Sequence, residues 1–149
     1  TMYVKLCNYF QIAYGEGINE VFPFNLNHFC VQYQFPTLKT FASLQFLDRQ
    51  GVLTFQSESS EKISIQFIIP SKEVLRYSSL HPQDEPIITS ILRTYSGIFD
   101  VATAINSSLI AKKSNCSEER VEQVIQQLAA SNCIRWAFLK DLRLTFPEY

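Results

Sequence analysis

Shifted by 81 residues, the chain lies on itself without a gap. Cys7 falls on Ile88, Phe10 on Ile91, Tyr14 on Tyr95, Phe24 on Ile105, Asn25 on Asn106 and Phe29 on Ile110. Cys30 meets Ala111, Leu44 meets Ile125, Leu47 meets Leu128, Leu53 meets Ile134 and Phe55 meets Trp136. The match is one of apolar pattern. Gly51 and Asn132, residue types that tolerate a left-handed backbone, coincide where a helix should end. Two copies of one small helical unit are implied. A repeated helical unit without a catalytic constellation points to binding rather than chemistry.

With 149 residues and 46% hydrophobic content the chain has enough apolar material for a real core. Two units of about 70 residues would each be marginal alone, which favours a shared interface. No apolar run reaches the ~20 residues of a membrane span, so no membrane partner is expected. Residues 1–5 lack the layout of a signal peptide. Thr1 before Met2 suggests an expression remnant and a fragment of a longer protein. Cys7, Cys30, Cys116 and Cys133 are dispersed, with no Cys-x-x-Cys pair, so reduced buried thiols are expected and no metal site.

Each unit reads helix, short extended segment, helix, helix, hairpin. In the first, a helix over 3–14 is stopped by Gly15-Glu16-Gly17, and 21–24 is extended because Pro23 denies a helix. Asn25 caps a helix through residue 33, and Pro36 opens one that runs to 50. Residues 52–56 and 62–69 alternate as a hairpin whose tip is 57–61. A connecting helix over 71–80 leads to the linker 81–86. In the second unit, helices over 86–95, 107–113 and 117–131 surround an extended 101–105, and 133–138 with 142–146 form a hairpin around Lys140-Asp141. The expected organisation is thus a first unit at 1–70, a connecting helix and linker at 71–85 and a second unit at 86–149. The fold class is α+β, mostly helical: tandem winged helices, each a helix-turn-helix followed by a β-hairpin. Such folds serve both DNA recognition and protein–protein contact.

Catalytic residues are not expected. His28 and His81 have no nucleophile at a readable spacing, and no Gly-x-Ser-x-Gly, His-Glu-x-x-His or paired-Asp motif occurs. The net charge is −1, with six basic and six acidic side chains in 1–80 and seven basic and eight acidic in 81–149. DNA affinity rests heavily on phosphate neutralisation, so any duplex binding should be weak and salt-sensitive. The candidate DNA-binding surface is Thr37, Lys39, Thr40 and Ser43 with Arg49 farther along the same helix, and Lys112 and Lys113 form a second one. Small hydroxyls and single cations suit backbone contacts. Glu118, Glu119 and Glu122 on the long helix of the second unit should repel phosphate. Trp136, Phe138 and Leu139 are core or docking surface.

Residues 8–17, Asn-Tyr-Phe-Gln-Ile-Ala-Tyr-Gly-Glu-Gly, then 24–30, Phe-Asn-Leu-Asn-His-Phe-Cys, resemble the region that follows the motor domains in bacterial RecQ-type DNA helicases. Lys39-Thr40-Phe41-Ala42-Ser43-Leu44-Gln45-Phe46-Leu47 and residues 91–100, Ile-Leu-Arg-Thr-Tyr-Ser-Gly-Ile-Phe-Asp, continue the likeness. The resemblance implies a non-catalytic accessory region of an ATP-dependent helicase of DNA repair and recombination, cytoplasmic and nucleoid-associated. Its partners would be duplex or forked DNA and its own motor domains. ATP and Mg would belong to that motor, N-terminal to Thr1, and no cofactor to this stretch, which has no Gly-x-x-x-x-Gly-Lys-Ser/Thr loop. Asp84-Glu85-Pro86-Ile87 lies in the linker and is not a helicase Asp-Glu box. Three features depart from the family: no four-cysteine zinc module, a second winged helix in place of a helical C-terminal domain, and an acidic wing tip. Glu58 and Glu61 at that tip should not act as a strand-separating wedge. The alternative is a tandem winged-helix protein-interaction scaffold with no DNA contact.

Overall fold

The computed structural model describes residues 2–12, 17–59 and 61–146. The first repeat holds α1 (Met2–Phe10), β1 (Val21–Pro23), α2 (Leu26–Tyr33), α3 (Thr37–Arg49) and β2 (Thr54–Gln56). Next come β3 (Ile63–Phe67) and α4 (Ser71–Leu80). The second repeat holds α5 (Glu85–Thr94), β4 (Thr103–Ile105), α6 (Ser107–Ser114), α7 (Glu118–Ala130), β5 (Ile134–Phe138) and β6 (Arg143–Thr145).

The duplication is written in the helix ends. Asn25 caps α2 by accepting from the His28 N–H at 3.0 Å, and Asn106 caps α6 by accepting from the Leu109 N–H at 3.1 Å. The side-chain amide oxygen satisfies one of the orphan donors of the first turn. Both helices close on a left-handed residue, Gln34 (φ 57°, ψ 42°) and Asn115 (φ 56°, ψ 44°). Thirteen-residue helices follow, α3 and α7, and behind each stands another positive-φ residue, Gly51 (φ 76°) or Asn132 (φ 58°). All of these pairs are 81 residues apart. The first helix is shorter than expected, because Gln11 turns left-handed (φ 58°) after Phe10; of the extension expected to 14 and the stop expected at 15–17, residues 13–16 lie outside the described residues.

The hairpins correct the sequence reading. β2 does not pair with β3, nor β5 with β6. β6 lies antiparallel between β1 and β2, with Leu144 opposite both Phe22 and Phe55. β3 lies antiparallel between β4 and β5, with Ile65 opposite Thr103 and Trp136. Each three-stranded sheet therefore takes its central strand from the other repeat. Glu58 with Ser59, and Leu139 with Lys140, expected in or beside hairpin tips, are where the chain passes between the two units. There the Glu58 N–H donates to the Asp141 carboxylate at 2.7 Å.

Strand length follows the exchange. β3 and β5 each run for five residues, whereas β2 and β6 each run for three. β3 pairs with β5 along all five of its residues and with β4 along Ile63–Ile65, while β6 pairs with β1 and β2 along three residues each. The compact units are consequently 1–58 with 140–149, and 59–139. These differ from the linear boundaries expected at 70 and 86, since 59–139 is inserted into the wing of a discontinuous first unit.

The two cores use different chemistry in the same frame. The first unit is aromatic: Phe24, Phe29, Phe41, Phe55 and Phe146 are buried, and Phe10 stacks on Phe22 at 4.7 Å. The second is aliphatic, built on Ile63, Ile65, Ile87, Ile88, Ile91, Ile105, Ile110, Val121, Val124 and Leu128. Cys7, Cys30 and Cys133 are buried and reduced, and Cys116 is half-buried. Burial pushes the thiols of Cys7, Cys30 and Cys133 above their usual 9.0; hydrogen bonds with Tyr3 and Thr40 partly oppose this at Cys7 and Cys30. The fold prefers the neutral thiol, so this stabilisation is complete below pH 9.0 and is lost as pH rises through the raised values. Thiolate is the reactive form. At pH 8, a thiol-disulfide reagent should therefore label Cys116 first in the native chain and reach all four cysteines only after denaturation.

Candidate nucleic-acid interface

In a winged helix the second helix of the pair is the one that meets DNA. In the first unit that helix is α3. Positions three and four apart share a helix face, and here Lys39, Ser43 and Phe46 form one exposed stripe, with Arg49 exposed near its C-terminal end. Phe46, 46% exposed, was not singled out from sequence. The spacing that joins Lys39 to Ser43 would have reached it.

The other sequence candidates on this helix sit elsewhere. Thr40 is buried, and its hydroxyl donates to the Pro36 carbonyl at 2.7 Å, so it closes the first turn. Thr37, half-buried, lies on the opposite side of the helix from Lys39. The Ser43 hydroxyl donates to the Lys39 carbonyl at 3.0 Å, leaving its oxygen lone pairs outward.

Lys112 and Lys113 are exposed on the last turn of α6, in the other compact unit from Lys39. Cations at a helix C-terminus complement its partial negative charge, and the Lys113 ammonium also donates to the Thr94 hydroxyl at 3.1 Å. Lys113 thus has a local partner within its own unit.

The repeat supplies an internal control. The residue of α7 equivalent to Lys39 is Arg120, also a cation. Arg120 is tied to Asp84, with side chains only 28% and 5% exposed, and donates to the Gln123 side-chain oxygen at 3.5 Å. Asp84 stands at the entry to α5, and residues 80–84 form one wall of a cleft of about 570 Å³ whose other wall is Arg120, Gln123 and Gln127. The outer face of α7 is therefore a cleft wall behind an acidic first turn, Glu118-Glu119, whereas Lys39 on α3 is exposed.

Both histidines have structural partners. The Tyr9 hydroxyl meets His28 Nδ1 at 2.8 Å; His81 stacks on Tyr77 at 4.0 Å and donates from Nδ1 to the Tyr77 carbonyl. Among the described residues no group of three or more His, Cys, Asp and Glu is placed to hold a metal ion. Among them, too, no helix is long and apolar enough to cross a membrane. Trp136 and Phe138 lie half-buried on β5, edge to face at 5.1 Å.

Residues 65–137 match the family model of the RecQ helicase winged-helix domain of Bacteroidota. No curated protein and no solved structure matches the chain. The matched segment starts within β3 and ends within β5, inside the compact unit 59–139. It thus begins with the central strand that the first repeat donates.

Proposed function

Taking the chain as a RecQ-like bacterial helicase accessory region with a winged-helix domain over residues 65–137, we propose that its first unit grips duplex DNA near the fork through the outer stripe of α3, and that its second unit docks on the motor. The carrying observation is the contrast between Lys39 and Arg120. Two equivalent cations stand on two equivalent helices, and only Lys39 is presented to solvent rather than held by a buried carboxylate. Lys39 supplies the phosphate contact and Ser43 a hydrogen-bonding oxygen. Phe46 supplies apolar contact of the kind that meets a thymine methyl in the major groove. Helicase activity, ATP and Mg belong in this reading to a motor elsewhere in the parent protein, acting in repair and recombination.

The second reading, a protein-interaction scaffold, draws support from the polar cleft and acidic first turn of α7. Fluorescence anisotropy of a labelled forked duplex at several salt concentrations separates the two. The expected affinity is weak, in the micromolar range typical of non-specific contact. Lys39→Glu should weaken binding uniformly across sequences, and Lys39→Ala should flatten the salt dependence by about one unit of slope. Lys112→Ala with Lys113→Ala should matter less. Binding that is absent at low salt, or indifferent to Lys39→Glu, leaves the scaffold reading.

A further inference from the structure

The central strands of the two sheets carry the same inward triad. β3 presents Ile63, Ile65 and Phe67; the β6 segment presents Leu142, Leu144 and Phe146. All six are at most 2% exposed. Phe67 stacks on Phe99 at 5.4 Å, and Phe146 packs edge-on against Tyr3 at 5.4 Å and Phe22 at 5.9 Å. The flanking strands that receive the triads belong to equivalent frames. The connections 57–62 and 139–142 are also long enough to close local hairpins.

We propose that β3 and β6 are interchangeable central strands, and that the chain folds through a locally paired form, β2 with β3 and β5 with β6, before the strands exchange. β3 precedes β6 in the chain by 80 residues, Ile63 to Arg143, and the first repeat lies earlier still. Until β6 is present, β3 is the only available strand with the triad that the first unit needs. Local closure also costs less chain entropy than the long-range pairing of β2 with β6. The exchange then gains two bonds specific to it: the Ser64 hydroxyl to the Ala137 carbonyl at 3.4 Å, and the Gln66 amide to the Phe99 carbonyl at 3.3 Å. This inference is independent of the DNA-binding reading, since it concerns only strand pairing.

The two forms differ in who faces Gln56. In the exchanged chain it faces Arg143. With the triads superposed, Ser64 takes the place of Arg143 in the local form, and Gln66 that of Thr145. Full-length Q56C/R143C and Q56C/S64C chains would be oxidised both in the native state and at intervals during refolding, with cross-links located by peptide mass. T54C/Q66C reports the same local pairing in case S64C disturbs β3. Support is a 56–143 cross-link within one native chain, together with a 56–64 or 54–66 cross-link that appears early in refolding and is lost from late samples. A refolding series that never yields 56–64 or 54–66 overturns the proposal. So does a native chain that cross-links 56–64 in place of 56–143, or a 56–143 link found only between two chains.

Discussion

Deleting residues 140–149 is expected to unfold the first unit and leave the second folded. The deletion removes the strand between β1 and β2, and those two have no ladder with each other. It also removes Leu142, Leu144 and Phe146, each at most 2% exposed. Burying one such side chain is worth roughly 1.5–3 kcal/mol, and a whole domain is stable by only about 5–15 kcal/mol. One central strand then remains for two sheets. At equilibrium the second unit keeps it, because there β3 has ladders to both β4 and β5 and the side-chain bonds of Ser64 and Gln66, whatever it pairs with earlier in folding. Trp136, the single tryptophan, lies on β5 and reports the second unit alone. Its emission should be unchanged while the far-ultraviolet helical signal falls and the melt of the remaining helices comes from 59–139. Full-length helicity in the truncated chain, or an exposed-indole spectrum, contradicts the strand assignment.

Asp84→Ala should destabilise the second unit by about 2–3 kcal/mol. Removing one member of a desolvated ion pair strands the other, typically at about 3–5 kcal/mol, and the lower figure follows because Arg120 keeps 28% of its side chain exposed and can reach water. The Asp84 carbonyl also accepts from the Ile87 and Ile88 N–H groups at the start of α5, and the substitution preserves these. Urea unfolding followed through Trp136 gives the loss directly. The double variant Asp84→Ala with Arg120→Leu should recover part of it, because no unpaired charge remains. Additive losses in the double variant would show that the pair contributes no coupling.

The helices were legible because their signals are local. Asn25 and Ser117 announce caps that the structure uses, and Gly51 and Asn132 stand where the long helices end. The repeat was legible through pattern, and its low identity has a physical origin: Phe10, Phe24 and Phe29 become Ile91, Ile105 and Ile110, so one frame holds an aromatic filling and the other an aliphatic one. Pairing was not legible. Alternation identifies 63–67 as a strand but is silent on its neighbour, and Ile-x-Ile-x-Phe suits either sheet as well as Leu-x-Leu-x-Phe does. What distinguishes the partners is long-range contact, such as that of Gln66 with Phe99, which alternation does not encode. At the candidate interface, Lys39 and Ser43 were legible from helical spacing. The turn of Thr40 toward Pro36 was not, because a hydroxyl near a helix start serves equally as surface or as a local bond to the backbone.

The two crossings have a mechanical consequence. In a string of beads, tension between neighbours passes through a single linker. Here it divides between 57–62 and 139–142, and each is continuous with a strand at the heart of a sheet. Pulling β3 lengthwise loads its hydrogen bonds to β4 together, because antiparallel bonds stand across the strand axis. Drawing residues 62 and 139 apart sideways instead peels the β3–β5 ladder one rung at a time from the bond between the Leu139 N–H and the Lys62 carbonyl. The sheet of the second unit is therefore stiff along β3 and yielding across it.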